Sequence, residues 1–131
     1  AHAGWRGTAA DIAGKTVAAM AALGADPANI HAAIGPNIGQ CCFETQSDVP
    51  EAMVKVLGGQ AEEFIASRGR SYYVDLKGVN KALLERAGVR HVEVSRLCTC
   101  CREDLFWSYR RNGDKRGSQG ALIQCRREAK V

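Results

Sequence analysis

A histidine and an arginine flank a glycine-rich turn at the start of the chain, where residues 2–7 read HAGWRG. The turn opens a predicted helix, so its backbone N–H groups and the positive end of the helix dipole are available to an anion. His2 has the chemistry of a metal ligand, a general base or a phosphate contact, and Arg6 adds a cation that binds oxyanions through two N–H groups. An exposed histidine without a role is the alternative for His2.

Cysteine is unusually frequent, and five of the six cysteines lie in two clusters. One cluster lies in GPNIGQCCFE at residues 35–44, after a predicted strand, and the other is CTCC at residues 98–101. Loops at strand ends commonly form pockets, so a cysteine there could act as a nucleophile; buried inert thiols are the alternative. Only Cys98 and Cys101 have the C-x2-C spacing of zinc sites, which disfavours a four-cysteine zinc site. Roles are left open for Cys41, Cys42, Cys98, Cys100 and Cys101.

Aromatic and arginine side chains lie close together in FWSYRR at residues 106–111. If this segment is a strand, Arg110 and Arg111 lie on opposite faces, each with aromatic neighbours. An arginine beside aromatic rings can hold an anion while a base stacks nearby, which suits a nucleoside or a nucleotide. An edge strand with solvated arginines is the alternative. Neither a P-loop nor another common catalytic signature is present.

The charge distribution also suits an anionic ligand. The net charge is +4, and residues 96–131 hold 9 basic and 4 acidic groups. This surplus fits an anionic small molecule, a phosphate or a nucleic acid, and a solvated basic edge is the alternative. No secretory signal and no membrane-spanning stretch is visible. The clustered cysteines favour reduced thiols, so we predict a cytoplasmic protein.

Alternating helix and strand patterns must position these residues. The chain has 131 residues, 46% hydrophobic and 24% charged, which is typical of a globular domain and not of a disordered segment. A helix is predicted after Thr8, with Asp11 completing a capping box, and it ends at Gly24. The other predicted helices cover residues 47–57, 61–67 and 76–87. The predicted strands cover residues 30–34, 71–74, 91–96, 106–111 and 121–126, the last two as a hairpin.

These elements predict an α+β (mixed α/β) fold, with layered mixed β-sheets flanked by helices. Glycine-rich turns that open helices usually follow a strand, and no strand precedes HAGWRG. We therefore predict that residues 1–131 form one portion, the C-terminal half, of a larger single domain.

Taken in order, the motifs resemble one bacterial family, the multicopper polyphenol oxidase or laccase-like family, whose members are also described as purine nucleoside phosphorylases. The resemblance spans essentially the whole chain. It rests on HAGWRG at 2–7, IGPNIGQCCFE at 34–44, Asp75 and Leu76 with Asn80 and Gly88, Cys98 and Thr99, and FWSYRR at 106–111.

The resemblance implies a mononuclear zinc centre with two histidine ligands and one cysteine ligand. His2 matches one histidine ligand, so it is implied to be both catalytic and metal-binding. The other ligands lie upstream in the family, in a missing N-terminal half or a companion chain. The implied reaction is phosphorolysis of adenosine, inosine or guanosine to the base and ribose 1-phosphate, with adenosine deamination and methylthioadenosine cleavage as further activities. The candidate phosphate ligands are Arg6, Arg110 and Arg111.

Two alternatives stay open. A copper-dependent polyphenol oxidase (laccase) would need copper and several histidine ligands, and the chain has only His2, His31 and His91. A non-catalytic nucleotide-binding module would use the basic C-terminal quarter and its aromatic side chains. The expected partners of the enzyme are a purine nucleoside and phosphate. Neither a membrane nor a nucleic acid is expected as a partner. The preferred nucleoside and the oligomeric state are not predicted.

Overall fold

The computed structural model describes residues 1–125, which form a mixed α/β fold of short helices and two small sheets. This confirms the predicted fold class. Within this range the α-helices are α1 (Trp5–Ala9), α2 (Ile12–Ala22), α3 (Asp48–Leu57), α4 (Leu76–Arg86) and α5 (Tyr109–Asn112). The strands are β1 (His31–Ile34), β2 (Glu44–Thr45), β3 (Ile65–Arg68), β4 (Ser71–Val74) and β5 (His91–Val94). Short 3-10 helices cover Pro27–Asn29, Gly58–Phe64 and Gly113–Lys115.

The two sheets differ in topology. Strands β1 and β5 pair in parallel, with His31 opposite His91 and Ile34 opposite Val94. The rings of His31 and His91 stack with their centroids 4.5 Å apart. Strands β2, β4 and β3 form an antiparallel sheet in that order. The parallel pair matters for the site, because both strands end at the same edge and their following loops begin side by side.

The hydrophobic core is formed by helices α3 and α4 and the antiparallel sheet. Met53 of α3 and Val74 of β4 have no exposed surface there. A second, smaller cluster joins Val17 of α2 to Ile30 and Val89, which precede the two parallel strands. Helices α3 and α4 each bury one apolar face, as expected for amphipathic surface helices.

Local stop and cap signals appear where the sequence predicts them. Gly24 and Gly88 both have a φ of 97°, in the left-handed region that favours glycine at helix ends. Asp75 caps α4 by accepting a hydrogen bond from the backbone N–H of Lys77 at 3.1 Å. The strand predicted at residues 71–74 is β4 with the same bounds.

The start of the first predicted helix is wrong. The chain forms α1, breaks, and begins again as α2 after Asp11. Thr8 does not cap a helix, because it is fully buried and its hydroxyl accepts a hydrogen bond from Asn80 Nδ2 at 2.9 Å. The cap of α2 is Asp11, whose carboxylate accepts from the N–H of Gly14 at 3.0 Å. A tertiary hydrogen bond to α4 thus overrides the local capping pattern.

The helix predicted at residues 61–67 is also wrong. This segment completes a 3-10 helix and then becomes β3. Gly69 has a φ of 62° and allows the tight turn that pairs β3 with β4. Pairing with the neighbouring strand therefore overrides a weak local helix pattern.

The predicted hairpin at the end of the chain is wrong as well. Residues 106–108 belong to no strand, and Tyr109 begins α5. Residues 121–125 have no regular structure, and Arg126 lies outside the described residues. The guanidinium of Arg111 donates hydrogen bonds to the carbonyls of Thr99, Cys100 and Phe106, all of which precede it in the chain. These bonds favour a helical turn over an extended strand.

A glycine inside α4 provides a test of the core packing. A Cβ at Gly78 would lie 2.6 Å from Phe64 Cε1 and 2.8 Å from Asp75 Oδ2. We expect Gly78→Ala to lower the free energy of unfolding by about 1–2 kcal/mol, because overpacking outweighs the better helix propensity of alanine. Urea denaturation measures the change. Gly59→Ala is the control, since its Cβ would meet no atom within 4 Å. An unchanged or higher stability of Gly78→Ala would contradict the close packing.

Candidate functional site

Two loops meet at the carboxyl edge of the parallel strand pair. The loop of residues 35–42 follows β1, and the loop of residues 95–101 follows β5. Backbone pairing continues past the strands, because the N–H of Ser95 donates to Ile34 O at 2.9 Å and the N–H of Thr99 donates to Asn37 O at 3.0 Å. We refer to these segments as the first loop and the second loop. The two loops lie side by side at the carboxyl edge of the strands, which is where α/β proteins commonly bind ligands.

A cavity of about 430 Å³ opens beside the two loops. Three aromatic side chains contribute to its wall, together with two arginines and several small polar groups. The residues that line the cavity include Asn37, Phe43, Trp107, Tyr109, Arg110 and Arg116. Trp107 is 48% exposed, so a face of its ring is available to a ligand. A site with this size and mixture of apolar and polar walls suits a small organic molecule.

The two arginines of the cavity keep most of their donors available. Arg110 donates from Nη2 to Glu44 O at 2.9 Å and lies 5.8 Å from the ring centroid of Phe43. Arg116 lies 5.0 Å from the ring centroid of Tyr109. Neither arginine forms a salt bridge with any residue in the range 1–125. Their positive charges are therefore not neutralised by a local carboxylate and can serve an anion.

Arg111 occupies a different environment from Arg110. Its Nη1 donates to Thr99 O at 3.0 Å and to Cys100 O at 2.6 Å, and its Nη2 donates to Phe106 O at 2.6 Å. These carbonyls occupy both terminal nitrogens of the guanidinium. Arg111 therefore holds the second loop against the segment that lines the cavity.

A buried oxygen of Asn37 faces no hydrogen-bond partner among the described residues. The Oδ1 atom is buried and accepts no hydrogen bond from these residues, although other atoms of Asn37 line the cavity. An unpaired buried acceptor costs free energy, so a donor from a ligand would stabilise it. Asn37 is a candidate for recognising an N–H or O–H group of the bound molecule.

The structure does not bring His2 and Arg6 into the cavity wall. His2 is exposed, and Arg6 lies over the ring of Trp5 with its Cζ 4.4 Å from the centroid. The turn that carries His2 is fixed by hydrogen bonds from Thr8, whose N–H donates to Gly4 O at 2.8 Å and whose hydroxyl donates to Ala3 O at 3.3 Å. An exposed imidazole on a fixed turn has the chemistry of one metal ligand.

Four cysteines from the two loops form a compact cluster. The Sγ atoms of Cys41, Cys42, Cys98 and Cys101 all lie within 4.8 Å of one another and could hold a metal ion. The C-x2-C spacing, which disfavours a four-cysteine zinc site, did not reveal this cluster. Spacing along the chain detects only local chelating pairs, whereas Cys41 and Cys101 are 60 residues apart and are joined by the parallel strand pair.

The thiols of this cluster have divergent acidities. Burial raises the pKa of Cys98, but hydrogen bonds from the backbone N–H groups of Gly39, Cys101 and Cys100 outweigh burial and lower its pKa to about 6. The pKa values of Cys41 and Cys42 are raised, first by desolvation and then by the thiol of Cys101. A thiolate at Cys98 is thus favoured at neutral pH, whereas the raised pKa values favour the protonated thiols of Cys41 and Cys42.

Sequence reasoning found some cavity residues and missed others. The FWSYRR motif pointed to Trp107, Tyr109 and Arg110. It missed Arg116 and Asn37 as members of the same wall. Asn37 sits in a Gly-Pro loop at a strand end, which is the signal that could have identified it.

Comparison with known proteins identifies the family to which this chain belongs. A family model described as multi-copper polyphenol oxidoreductase laccase matches residues 1–126. The chain belongs to this family.

Particular relatives carry enzyme names. A purine nucleoside phosphorylase from Deinococcus radiodurans is 42% identical over 123 residues, which cover 94% of this chain and 47% of that protein. A protein named adenosine deaminase RL5, from an unknown prokaryotic organism, is 38% identical over 88% of this chain and 45% of its own length. The crystal structure of YlmD from Geobacillus stearothermophilus matches with a TM-score of 0.80 and 40% identity, covering 85% of this chain and 43% of that one. The chain therefore spans about half the length of the curated relatives that it matches.

The helices provide one further observation. Among residues 1–125, none is both long enough and apolar enough to cross a lipid bilayer.

Proposed function

We propose that this chain is the C-terminal half of a zinc-dependent purine nucleoside phosphorylase that acts in the cytoplasm. The observation that carries the proposal is the cavity wall, which combines three aromatic side chains with Arg110 and Arg116, two arginines that form no salt bridge within residues 1–125. Aromatic rings suit a purine, and arginines suit the phosphate that attacks the ribose. The name of the relative from Deinococcus radiodurans supports the same reaction.

The purine is proposed to bind against the aromatic rings of the cavity wall. Trp107 and Tyr109 expose ring surface there, and Phe43 completes the wall. Stacking on such rings contributes about 1–3 kcal/mol per base and tolerates adenine, hypoxanthine and guanine alike. The Oδ1 of Asn37 has no hydrogen-bond partner among the described residues, and we propose that it accepts an N–H of the base.

The phosphate is proposed to bind at the guanidinium groups of the cavity wall, which lie over two of its aromatic rings. Its oxygen forms a bond to the anomeric carbon of the ribose while the bond from that carbon to the purine nitrogen breaks. The electron pair of the broken bond stays on the base, which takes up a proton. Arg110 and Arg116 would orient the phosphate and offset its charge. Arg6 lies outside the cavity wall and stays a predicted phosphate contact from the turn at His2. Arg111, predicted as a phosphate ligand, is instead assigned the positioning of the second loop.

His2 is proposed as one ligand of the zinc ion. Its exposed imidazole on a fixed turn fits a single ligand position, and imidazole nitrogen is a common ligand of this metal. The remaining ligands are proposed to come from the upstream half or from a companion chain. Bound zinc supplies Lewis-acid chemistry and activates water, which fits adenosine deamination as a second activity beside cleavage of methylthioadenosine.

The histidines of the chain favour zinc over a multicopper centre. His31 and His91 stack on each other in the parallel sheet, with ring planes within 6°. The group of metal-binding side chains found within residues 1–125 contains cysteines and no histidine. A copper-dependent polyphenol oxidase is the alternative, and it predicts oxygen consumption with a phenol by the copper-loaded protein.

Arg110 gives a direct test of phosphate binding. In the complete protein, we expect Arg110→Ala to raise the KM for phosphate by about 10-fold to 100-fold, because a charge-assisted contact is lost. The KM for inosine should change much less. Release of hypoxanthine at varied phosphate concentrations measures both constants. Arg90→Ala is the control, since Arg90 is exposed and lies outside the cavity wall. An unchanged KM for phosphate in Arg110→Ala would place the phosphate elsewhere.

A further inference from the structure

We propose that Cys41, Cys42, Cys98 and Cys101 form a second metal site, in which four thiolates bind one Zn²⁺ and join the first loop to the second. This site is separate from the proposed centre at His2, because it contains no residue of the HAGWRG turn. Its role is structural: it would fasten together the two loops that flank the cavity. The proposal does not depend on the proposed function.

The sulfur positions fit the size of a zinc tetrahedron. With a Zn–S bond of about 2.3 Å, the sulfurs of a tetrahedral site lie about 3.8 Å apart. The Sγ atoms of Cys41 and Cys101 are 3.6 Å apart, those of Cys42 and Cys101 are 3.4 Å apart, and all four lie within 4.8 Å of one another. The separations of 3.6 and 3.4 Å lie within a few tenths of an ångström of this value, and the 4.8 Å limit exceeds it by about 1 Å. The same distances are far longer than a disulfide bond of about 2.05 Å.

The first loop is held in place by contacts that do not involve sulfur. Gln40 donates from Nε2 to Phe64 O at 3.1 Å and to Tyr73 O at 3.3 Å, which ties the loop to the antiparallel sheet. The N–H of Cys42 donates to Gly39 O at 3.0 Å and shapes the turn that presents two adjacent thiols.

The second loop is anchored by two cations. Lys77, which is buried in α4, donates from Nζ to Ser95 O at 2.9 Å and to Leu97 O at 2.7 Å. Arg111 holds the carbonyls of Thr99 and Cys100 from the other side. Because both loops are fixed independently, the four sulfurs are brought together before any metal binds.

Gly39 provides a second, independent observation. Its backbone passes so close to the cluster that a Cβ would lie 3.2 Å from Cys41 Sγ and 3.2 Å from Cys98 Cβ. This close approach allows the N–H of Gly39 to donate to Cys98 Sγ at 3.1 Å. Hydrogen bonds from backbone N–H groups to ligand sulfur support thiolate metal sites and orient their ligands.

The donor set selects the metal. Four thiolates in a tetrahedral arrangement suit Zn²⁺ or an iron–sulfur centre, whereas Mg²⁺ and Ca²⁺ prefer oxygen ligands. Cys98 is buried, and Cys41 and Cys101 are exposed, so the ion can enter from solvent. Cys100 lies between two ligands in sequence but outside the group, which makes it a matched control.

The test measures zinc bound by the complete protein in a His2→Ala background, which removes the proposed ligand of the other centre. The protein is reduced, freed of metal and titrated with zinc chloride against a chromogenic chelator. We expect Cys42→Ser and Cys98→Ser each to bind one zinc fewer per chain than the background protein. Cys100→Ser and Cys125→Ser should match the background, since neither cysteine belongs to the group.

Cobalt provides a readout that needs no cysteine variant. Reduced His2→Ala protein titrated with Co²⁺ should show thiolate-to-cobalt charge-transfer absorption with the intensity of four thiolate ligands, together with the visible bands of tetrahedral cobalt. This keeps the proposal testable if a serine variant fails to fold. Equal zinc content in folded Cys42→Ser, Cys98→Ser and Cys100→Ser would overturn the proposal. So would a cobalt spectrum without thiolate bands, or a disulfide between Cys42 and Cys101 in protein prepared with zinc.

Discussion

His2→Ala in the complete protein should lower kcat/KM for phosphorolysis of inosine by at least about 100-fold. The exposed imidazole of His2 lies on a turn fixed by Thr8, and we propose it as one of the zinc ligands. Loss of one ligand from a three-ligand centre removes most of the metal affinity and the chemistry that depends on it. Release of hypoxanthine and zinc content should fall together. The measurement is an initial-rate assay with metal analysis on the same preparation.

The matched control is His31→Ala. His31 is also exposed, and it stacks on His91 in the parallel sheet away from the HAGWRG turn. We expect this variant to keep its activity and its zinc. Turnover of His2→Ala equal to that of the unmodified protein would remove His2 from the mechanism, whatever the metal content.

Asn80→Ala should lower the free energy of unfolding by about 2–4 kcal/mol. Asn80 is buried, and its Nδ2 donates to Thr8 Oγ1 at 2.9 Å and to Leu76 O at 2.8 Å. Truncation leaves the buried hydroxyl of Thr8 and the carbonyl of Leu76 without this donor and opens a small cavity between α1 and α4. Urea denaturation of the variant measures the loss.

A double-mutant cycle isolates the contact itself. Thr8→Val keeps the shape of Thr8 but removes its hydroxyl, so its effect and that of Asn80→Ala should not be additive. Asn29→Ala is the surface control, because the amide of Asn29 is exposed and bonds only Asp26 within the described residues. We expect that control to change stability by less than about 0.5 kcal/mol. A similarly small effect of Asn80→Ala would show that the bond does not hold the His2 turn to the core.

Local signals in the sequence predicted much of the fold. Gly24 and Gly88 end helices because each adopts a positive φ, and Asp75 caps α4 through its own side chain. Such effects involve residues within one helical turn, so they can be deduced from spacing alone. The strand at residues 71–74 was also predicted from the local sequence.

Long-range contacts account for the errors. Thr8 resembles a helix cap in sequence, but Asn80, 72 residues away, draws its hydroxyl into the core. The segment at 106–111 alternates like a strand, but Arg111 folds back onto Thr99 and Cys100. In both cases a tertiary hydrogen bond outweighs a local preference worth only a fraction of a kcal/mol per residue.

In the candidate site, too, local sequence signals identified some residues, whereas long-range contacts determine the others. The FWSYRR motif identified Arg110 and its aromatic neighbours, because the residue types are adjacent in sequence. The cysteine group could not be found by spacing, since its members come from two loops that only the pairing of β1 with β5 unites. Arg116 reaches the cavity through an irregular segment whose path no periodic pattern predicts.

The most direct test of the proposed function follows the products formed from inosine by the complete protein, with and without inorganic phosphate. Chromatography measures hypoxanthine, and phosphorus NMR measures ribose 1-phosphate. A nucleoside phosphorylase should form both products in equal amounts, and only when phosphate is present. Hypoxanthine released at the same rate without phosphate, or no cleavage of any purine nucleoside by zinc-loaded protein, would contradict the proposal.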